Sequence, residues 1–196
     1  MPDPDYRLLS ADNIETLLSK YADPGGKVRV DLGCGFYKPA GFIGIDNFAG
    51  SAAQIPDGGN LPDIVMDLNR CRMPLPDGCC VEVRASHFLE HSDLDRTFEE
   101  VHRLLDPSGV FLFVVPYANS AEGMYPGHTI FLTEKFFHNN LKFQRLFRIL
   151  KEEYKPSEDY AVLPEAVRRQ LPPFDLARKF LFNVCSEMTI TAAPVK

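Results

Sequence analysis

Two short segments carry residue types that could build a nucleoside site. Val28-Arg29-Val30-Asp31-Leu32-Gly33-Cys34-Gly35 is a β-rich run ending in a glycine turn, and Phe42-Ile43-Gly44-Ile45-Asp46 is a second apolar run ending in an acid. Glycines let backbone N–H groups approach a ligand closely, and an acid at the next strand tip can accept hydrogen bonds from a ribose diol. Farther along, Asp67 sits at the end of the run from Pro62 to Leu68, and Ala85-Ser86-His87 closes a fourth run.

His87-Phe88-Leu89-Glu90-His91 spells H-x-x-E-H, the inverted zinc-protease pattern. That chemistry needs the motif inside a helix and a third ligand on another helix. Here the string falls at a strand-to-loop edge, so no metal is expected. His87 and His91 are left between a packing role and a substrate-facing one. Tyr117, in Pro116-Tyr117-Ala118-Asn119, and His128, in Gly127-His128-Thr129, follow a fifth strand. With His91 they are the candidate bases if a substrate must lose a proton, and for each a structural hydrogen bond is the alternative.

The elements needed to position these groups can be read from periodicity. Ile14, Leu17, Leu18 and Tyr21 mark a short helix near Ala11 to Tyr21, stopped by Asp23-Pro24-Gly25-Gly26. Strands are expected up to Asp31, over Phe42 to Asp46, over Pro62 to Leu68, and over Val81 to Ala85. Residues 36–41 are too few for a full crossover helix, so the first βαβ unit is abbreviated. Leu94, Phe98, Val101, Leu104 and Leu105 form the apolar stripe of a helix over Asp93 to Leu105, ended by Asp106-Pro107-Ser108-Gly109. Val110 to Val115 reads as a buried parallel strand. Two more strands are expected near Phe143 to Ile149 and Val184 to Ala192, and the Pro-rich Leu163 to Pro173 stretch reads as an insertion or lid. The pattern predicts a Rossmann-like, doubly wound α/β fold with a mostly parallel seven-stranded sheet. In such sheets ligands bind beyond the carboxyl ends of the strands, where the acids and glycines fall.

Composition narrows the function classes. The 196 residues suit one domain, with 28–137 as a cofactor-binding core and 138–196 supplying C-terminal strands and the insertion. A net charge of −6 argues against nucleic acid as the main partner, since phosphate neutralisation needs a basic face. Met1-Pro2-Asp3-Pro4-Asp5 lacks a signal-peptide pattern, no apolar run is long enough to span a bilayer, and five scattered cysteines show no disulfide framework. A cytoplasmic setting is expected. Oligomeric state is left open.

Taken in order, Asp31, Gly33, Gly35, Asp46, Asp67, Leu75-Pro76-Asp77, Ala85-Ser86-His87 and Arg103-Leu104-Leu105-Asp106-Pro107-Ser108-Gly109 resemble the motifs of class I S-adenosylmethionine-dependent methyltransferases, of the small bacterial, methyltransferase-11-like type. The resemblance runs over residues 28 to 137. It implies S-adenosyl-L-methionine as cofactor and a small or medium-sized metabolite as methyl acceptor, on oxygen or nitrogen. It also implies that Gly33, Cys34 and Gly35 pass under the methionine part with Asp31 at the ammonium. Asp46 would then lie on the ribose and Asp67 and Leu68 at the adenine, with Ala85, Ser86 and His87 lining the cofactor. Residues Tyr117 to Ile130 are expected as a mobile lid, with His128 facing the acceptor. The alternative is a catalytically inactive nucleoside-binding regulatory or scaffold protein of the same fold. A nicotinamide enzyme fails on Tyr37, which stands where a dinucleotide fingerprint has its third glycine, and on the lack of any Tyr-x-x-x-Lys pair.

Overall fold

Asn13 starts the first helix because its side chain accepts from the Thr16 N–H at 2.8 Å, leaving α1 (Ile14–Tyr21) to bury Leu17. The computed structural model describes residues 6–47 and 55–196; Met1 to Asp5, on which the reading of the N-terminus rests, lie outside them. The strands are β1 (Tyr6–Leu8), β2 (Val28–Leu32), β3 (Ile43–Asp46), β4 (Ile64–Met66), β5 (Cys80–Ser86), β6 (Leu105–Pro116), β7 (Phe147–Pro156) and β8 (Cys185–Pro194). They form one eight-stranded sheet in the order β1-β4-β3-β2-β5-β6-β8-β7. The five central strands pair in parallel, while β1, β8 and the β7–β8 pair run antiparallel to their neighbours. From β2 the chain adds β3 and β4 on one side, then returns to place β5 on the other. The reversal opens a crevice at the carboxyl ends of β2 and β5.

Residues 33–42 contain only turns, so the abbreviated first crossover is present as expected. Three details depart from the sequence reading. The sheet has eight strands rather than seven, because three residues, Tyr6-Arg7-Leu8, add an antiparallel edge too short to show periodicity. Phe143 lies in a helix, α4 (Leu141–Leu146), whose N-cap Asn140 accepts from the Phe143 N–H at 2.8 Å, so β7 begins only at Phe147. Strand β6 begins at Leu105, ahead of the expected Val110. The ladder pairs Cys80 with Leu105 and Glu82 with Val110, so Asp106–Gly109 bulges out of it. Two exposed helical turns with no buried side chain follow β7, α5 (Glu158–Ala161) and, within the stretch 163–173, α6 (Glu165–Arg168). Among the described residues no helix is long and apolar enough to cross a membrane.

Helix α2 (Leu94–Leu104) is capped by Asp93, which accepts from the Arg96 N–H at 3.2 Å, and lays Phe98, Val101 and Leu104 on the sheet. There Phe98 meets Phe143 edge-on at 5.1 Å, and Phe113 meets Phe137 at 5.0 Å. On the other side of the molecule a buried carboxylate, Asp63, joins α1, β3 and the first crossover. Its Oδ1 accepts from Ser10 Oγ and from Tyr21 OH (2.8 Å), and its Oδ2 accepts from the Gly44 N–H (2.9 Å) and from Lys38 Nζ.

Burial alone would raise the Asp63 pKa, but these donors, led by Lys38, hold it below the usual carboxylate range. A folded-state value below the unfolded one stabilises the fold above about pH 4 and loses that contribution as pH falls through the lowered value. Asp63→Ala leaves Lys38 without its counter-charge and is expected to cost about 3 kcal/mol at neutral pH. Denaturant titrations from pH 7 to pH 3 should show a shallower loss of stability in the variant than in the parent. Parallel pH dependences would reject this role.

Candidate functional site

A cleft of about 350 Å³ opens at the carboxyl ends of β2 to β5, lined among others by Gly33, Asp46, Asp67, Leu68, His87 and His91. Gly33, Asp67, Leu68 and His87 arrive there as the one or two residues after a strand ends, Asp46 is the last residue of β3, and His91 closes the short helical turn Leu89–His91 after β5. Gly33 has φ +63°, and a Cβ there would meet the Phe88 ring at 2.6 Å, so only glycine lets β2 turn against that ring. Gly35 has φ +51° with open space where its Cβ would stand. Its N–H donates to Asp46 Oδ2 at 2.8 Å, which fixes the glycine turn against the tip of β3.

Asp31 lies below this turn, 1 % exposed, and its Oδ1 accepts from Arg84 Nη1 at 2.8 Å. Its Oδ2 is buried without a hydrogen bond. Burial pushes the Asp31 carboxyl up, against the opposing pull of Arg84. Cys34 is buried, and burial pushes its thiol up, so it is an uncharged packing group rather than a nucleophile. Asp67, half-buried, lines the cleft while its Oδ1 accepts from the Asn69 N–H at 3.0 Å and its Oδ2 pairs with Arg70 Nε at 3.2 Å, combining a turn-forming role with a carboxylate at the cleft.

Ala85 is buried in β5 and Ser86 is half-buried at its end, neither on the cleft wall. His87 follows with φ +53°, uncommon for a residue with a Cβ and a mark of a constrained strand end. It stands 3.5 Å from Glu90 Oε1 and 3.4 Å from Glu187 Oε1. The Glu90 carboxylate, more than any other neighbour, raises the pKa of His87.

Of the candidate bases, His91 lines the cleft and His128 packs behind it with ring centroids 4.9 Å apart. Segment 117–130 is tied down: Thr129 donates to the Glu90 carbonyl through N–H (3.1 Å) and Oγ1 (3.0 Å), and Gly123 N–H donates to Ser120 Oγ at 2.9 Å. Tyr117 lies elsewhere. It is 2 % exposed, its hydroxyl donates to Glu134 Oε2 at 2.9 Å and accepts from Arg178 Nη1 at 3.1 Å, and burial with Glu134 pushes its pKa up to about 12. A phenol so engaged and so weakly acidic is a structural strut joining β6 to α3 (Glu134–Asn139) and α7 (Phe174–Phe180).

Sequence reasoning missed Asn47, Met66, Asn69 and Phe88 on the cleft wall. Asn69 was detectable as the second residue after Asp67. Its Oδ1 accepts from the Asp93 N–H at 2.7 Å and joins the cleft to the start of α2. Phe88 lies inside the H-x-x-E-H string, where attention falls on the polar members.

Residues 30–113 match the family model described as a methyltransferase domain. Among solved structures, a SAM-dependent methyltransferase from Archaeoglobus fulgidus superposes with a TM-score of 0.59 at 21 % identity, covering 86 % of each chain. One from Mesorhizobium loti does so with a TM-score of 0.54 at 20 % identity, covering 90 % of this chain and 95 % of the other. The [4+2]-cyclase SpnF gives a TM-score of 0.58 at 21 % identity, covering 92 % of this chain and 79 % of that one. Among curated proteins, none matches the sequence.

The Tyr117 assignment can be tested directly. Tyr117→Phe removes one buried donor from Glu134 and one acceptor from Arg178 and should cost about 1–3 kcal/mol of stability. Ligand affinity at the cleft should stay as in the parent. A variant of full stability that loses activity at the cleft would restore Tyr117 as a reacting group.

Proposed function

We propose that this chain, whose residues 30–113 match a methyltransferase-domain model, is a class I S-adenosylmethionine-dependent methyltransferase that transfers a methyl group to an oxygen or nitrogen of a small or medium-sized metabolite. The observation that carries this reading is the convergence of Gly33, Asp46, Asp67 and Leu68 on one cleft at the point where strand order reverses.

The residues fit the cofactor. Gly35 has open space at its Cβ position where a ligand can approach the backbone. Asp46 at the tip of β3 supplies carboxylate oxygens for a ribose diol, and Asp67 with Leu68 offers an acceptor and an apolar face for a base. Asp31 Oδ2, buried and without a hydrogen bond, has unused capacity for the ammonium of the methionine part. When bound, the cofactor supplies a methyl group on a sulfonium, a good leaving group. The chain's contribution is then to hold the acceptor in line and exclude water, with His91 at the cleft wall available to hold a proton at an imidazole nitrogen.

Calorimetric titration with S-adenosylhomocysteine and with NAD tests the binding step, and release of labelled methyl groups onto candidate acceptors tests the transfer. The demethylated cofactor should bind and NAD should not. Asp46→Ala removes the ribose acceptor and the anchor of the Gly35 N–H together, and should weaken cofactor binding by about 1.5–3 kcal/mol. An unchanged dissociation constant in a folded variant would remove Asp46 from the site.

A further inference from the structure

Glu90 is 1 % exposed, yet neither of its carboxylate oxygens has a hydrogen-bond partner. A charge in such a place is strongly unfavourable unless a cation or donor meets it. The nearest nitrogens stand back from Oε1, His87 Nδ1 at 3.5 Å and His128 Nε2 at 3.9 Å.

Two imidazoles beside it have their tautomers set by the backbone. His128 Nδ1 lies 3.2 Å from the Gly123 carbonyl, and His91 Nδ1 lies 3.0 Å from the Gly127 carbonyl. A carbonyl only accepts, so each Nδ1–H donates, and in the neutral ring the lone pair is left on Nε2. In that neutral tautomer His128 Nε2 presents its lone pair at the site, 3.9 Å from Glu90 Oε1, while His87 Nδ1 stands 3.5 Å from the same oxygen. Metal-binding histidines have this arrangement, with the second ring nitrogen donating to a backbone carbonyl to fix orientation.

We propose that Glu90, His91 and His128 form a site for a divalent transition-metal ion of the zinc type, oriented by the Gly123 and Gly127 carbonyls. One ligand atom from each of the three residues lies within 4.8 Å of the others. Zinc bonds of about 2.0–2.2 Å in a tetrahedron set donor atoms about 3.4 Å apart, so side-chain shifts of about 1 Å close the set. Two imidazoles and one carboxylate suit zinc better than magnesium or calcium, which take oxygen shells. Three protein ligands leave a fourth position open. Because His91 lines the cleft, that position faces it and would take an oxygen or nitrogen donor of the methyl acceptor, a detail that rests on the function proposed above. The H-x-x-E-H string thus contributes its glutamate and second histidine. The third ligand comes from the loop after β6, where a search for the protease pattern on helices does not look.

The test uses the full chain, stripped of metal by chelator and dialysis, with Zn²⁺ titrated calorimetrically in the absence of cofactor. One equivalent should bind, raise the melting temperature, and be replaceable by Co²⁺ with visible d–d absorption but no sulfur-to-cobalt charge transfer. Glu90→Gln, which removes the buried charge and keeps the shape, should lower zinc affinity at least tenfold. His128→Asn should do the same and serves as the second variant if the first fails to fold. Binding of S-adenosylhomocysteine by Glu90→Gln, measured separately, reports on the cofactor reading, so the two can fail independently. Absence of stoichiometric zinc binding overturns the site. So does zinc binding unaffected by either variant, which would place the ion on exposed histidines or cysteines.

Discussion

The constraint on which the rest of this structure depends is the parallel pairing of the central strands. Parallel neighbours cannot be joined by a hairpin, so each connection must carry the chain back to the starting edge before the next strand begins. Every central strand therefore ends on one edge, and whatever follows it is delivered to the same side. Gly33 after β2, Asp46 at the end of β3, Asp67 after β4 and His87 after β5 are far apart in sequence and share one cleft for this reason alone. The antiparallel strands β1, β7 and β8 extend the sheet without adding a residue to that wall.

This is also why so much was legible in the sequence. Buried parallel strands read as short apolar runs, and the residue after each run is by geometry a cleft residue. Asp46 and Asp67 could be assigned to strand tips without a structure. Gly33 could as well, although its need for glycine turned out to include the Phe88 ring pressing on it, a contact between distant segments that no local pattern encodes. What could not be read was set by tertiary packing. Phe143 and Phe147 fit a strand as well as a helix, and the choice fell to the Asn140 cap and the aromatic cluster around Phe98. Tyr117 follows a central strand and on that rule should face the cleft. A buried arginine and glutamate from two later helices draw its hydroxyl away instead.

The buried acids of this protein differ in how their charge is met. Asp63 accepts from four donors, among them Lys38, and locks α1 to the sheet. Glu134 is met by Tyr117 and Arg178, which also stacks on the Tyr154 ring at 3.5 Å. Both are satisfied, and both hold elements together. Asp31, under the glycine turn, has one oxygen met by Arg84 and one left over. Glu90, beside the cleft, has no hydrogen bond to either oxygen, with His87 Nδ1 at 3.5 Å and His128 Nε2 at 3.9 Å from Oε1. Unsatisfied polar capacity is destabilising, and a fold able to surround Asp63 with donors has the means to avoid it. Among the described residues, three of the five buried side-chain atoms without a hydrogen bond belong to Asp31 and Glu90, which argues for ligands there rather than for poor packing. An ammonium would meet Asp31 and a metal ion would meet Glu90, and in both cases the folded chain would hold the charge ready before its partner arrives.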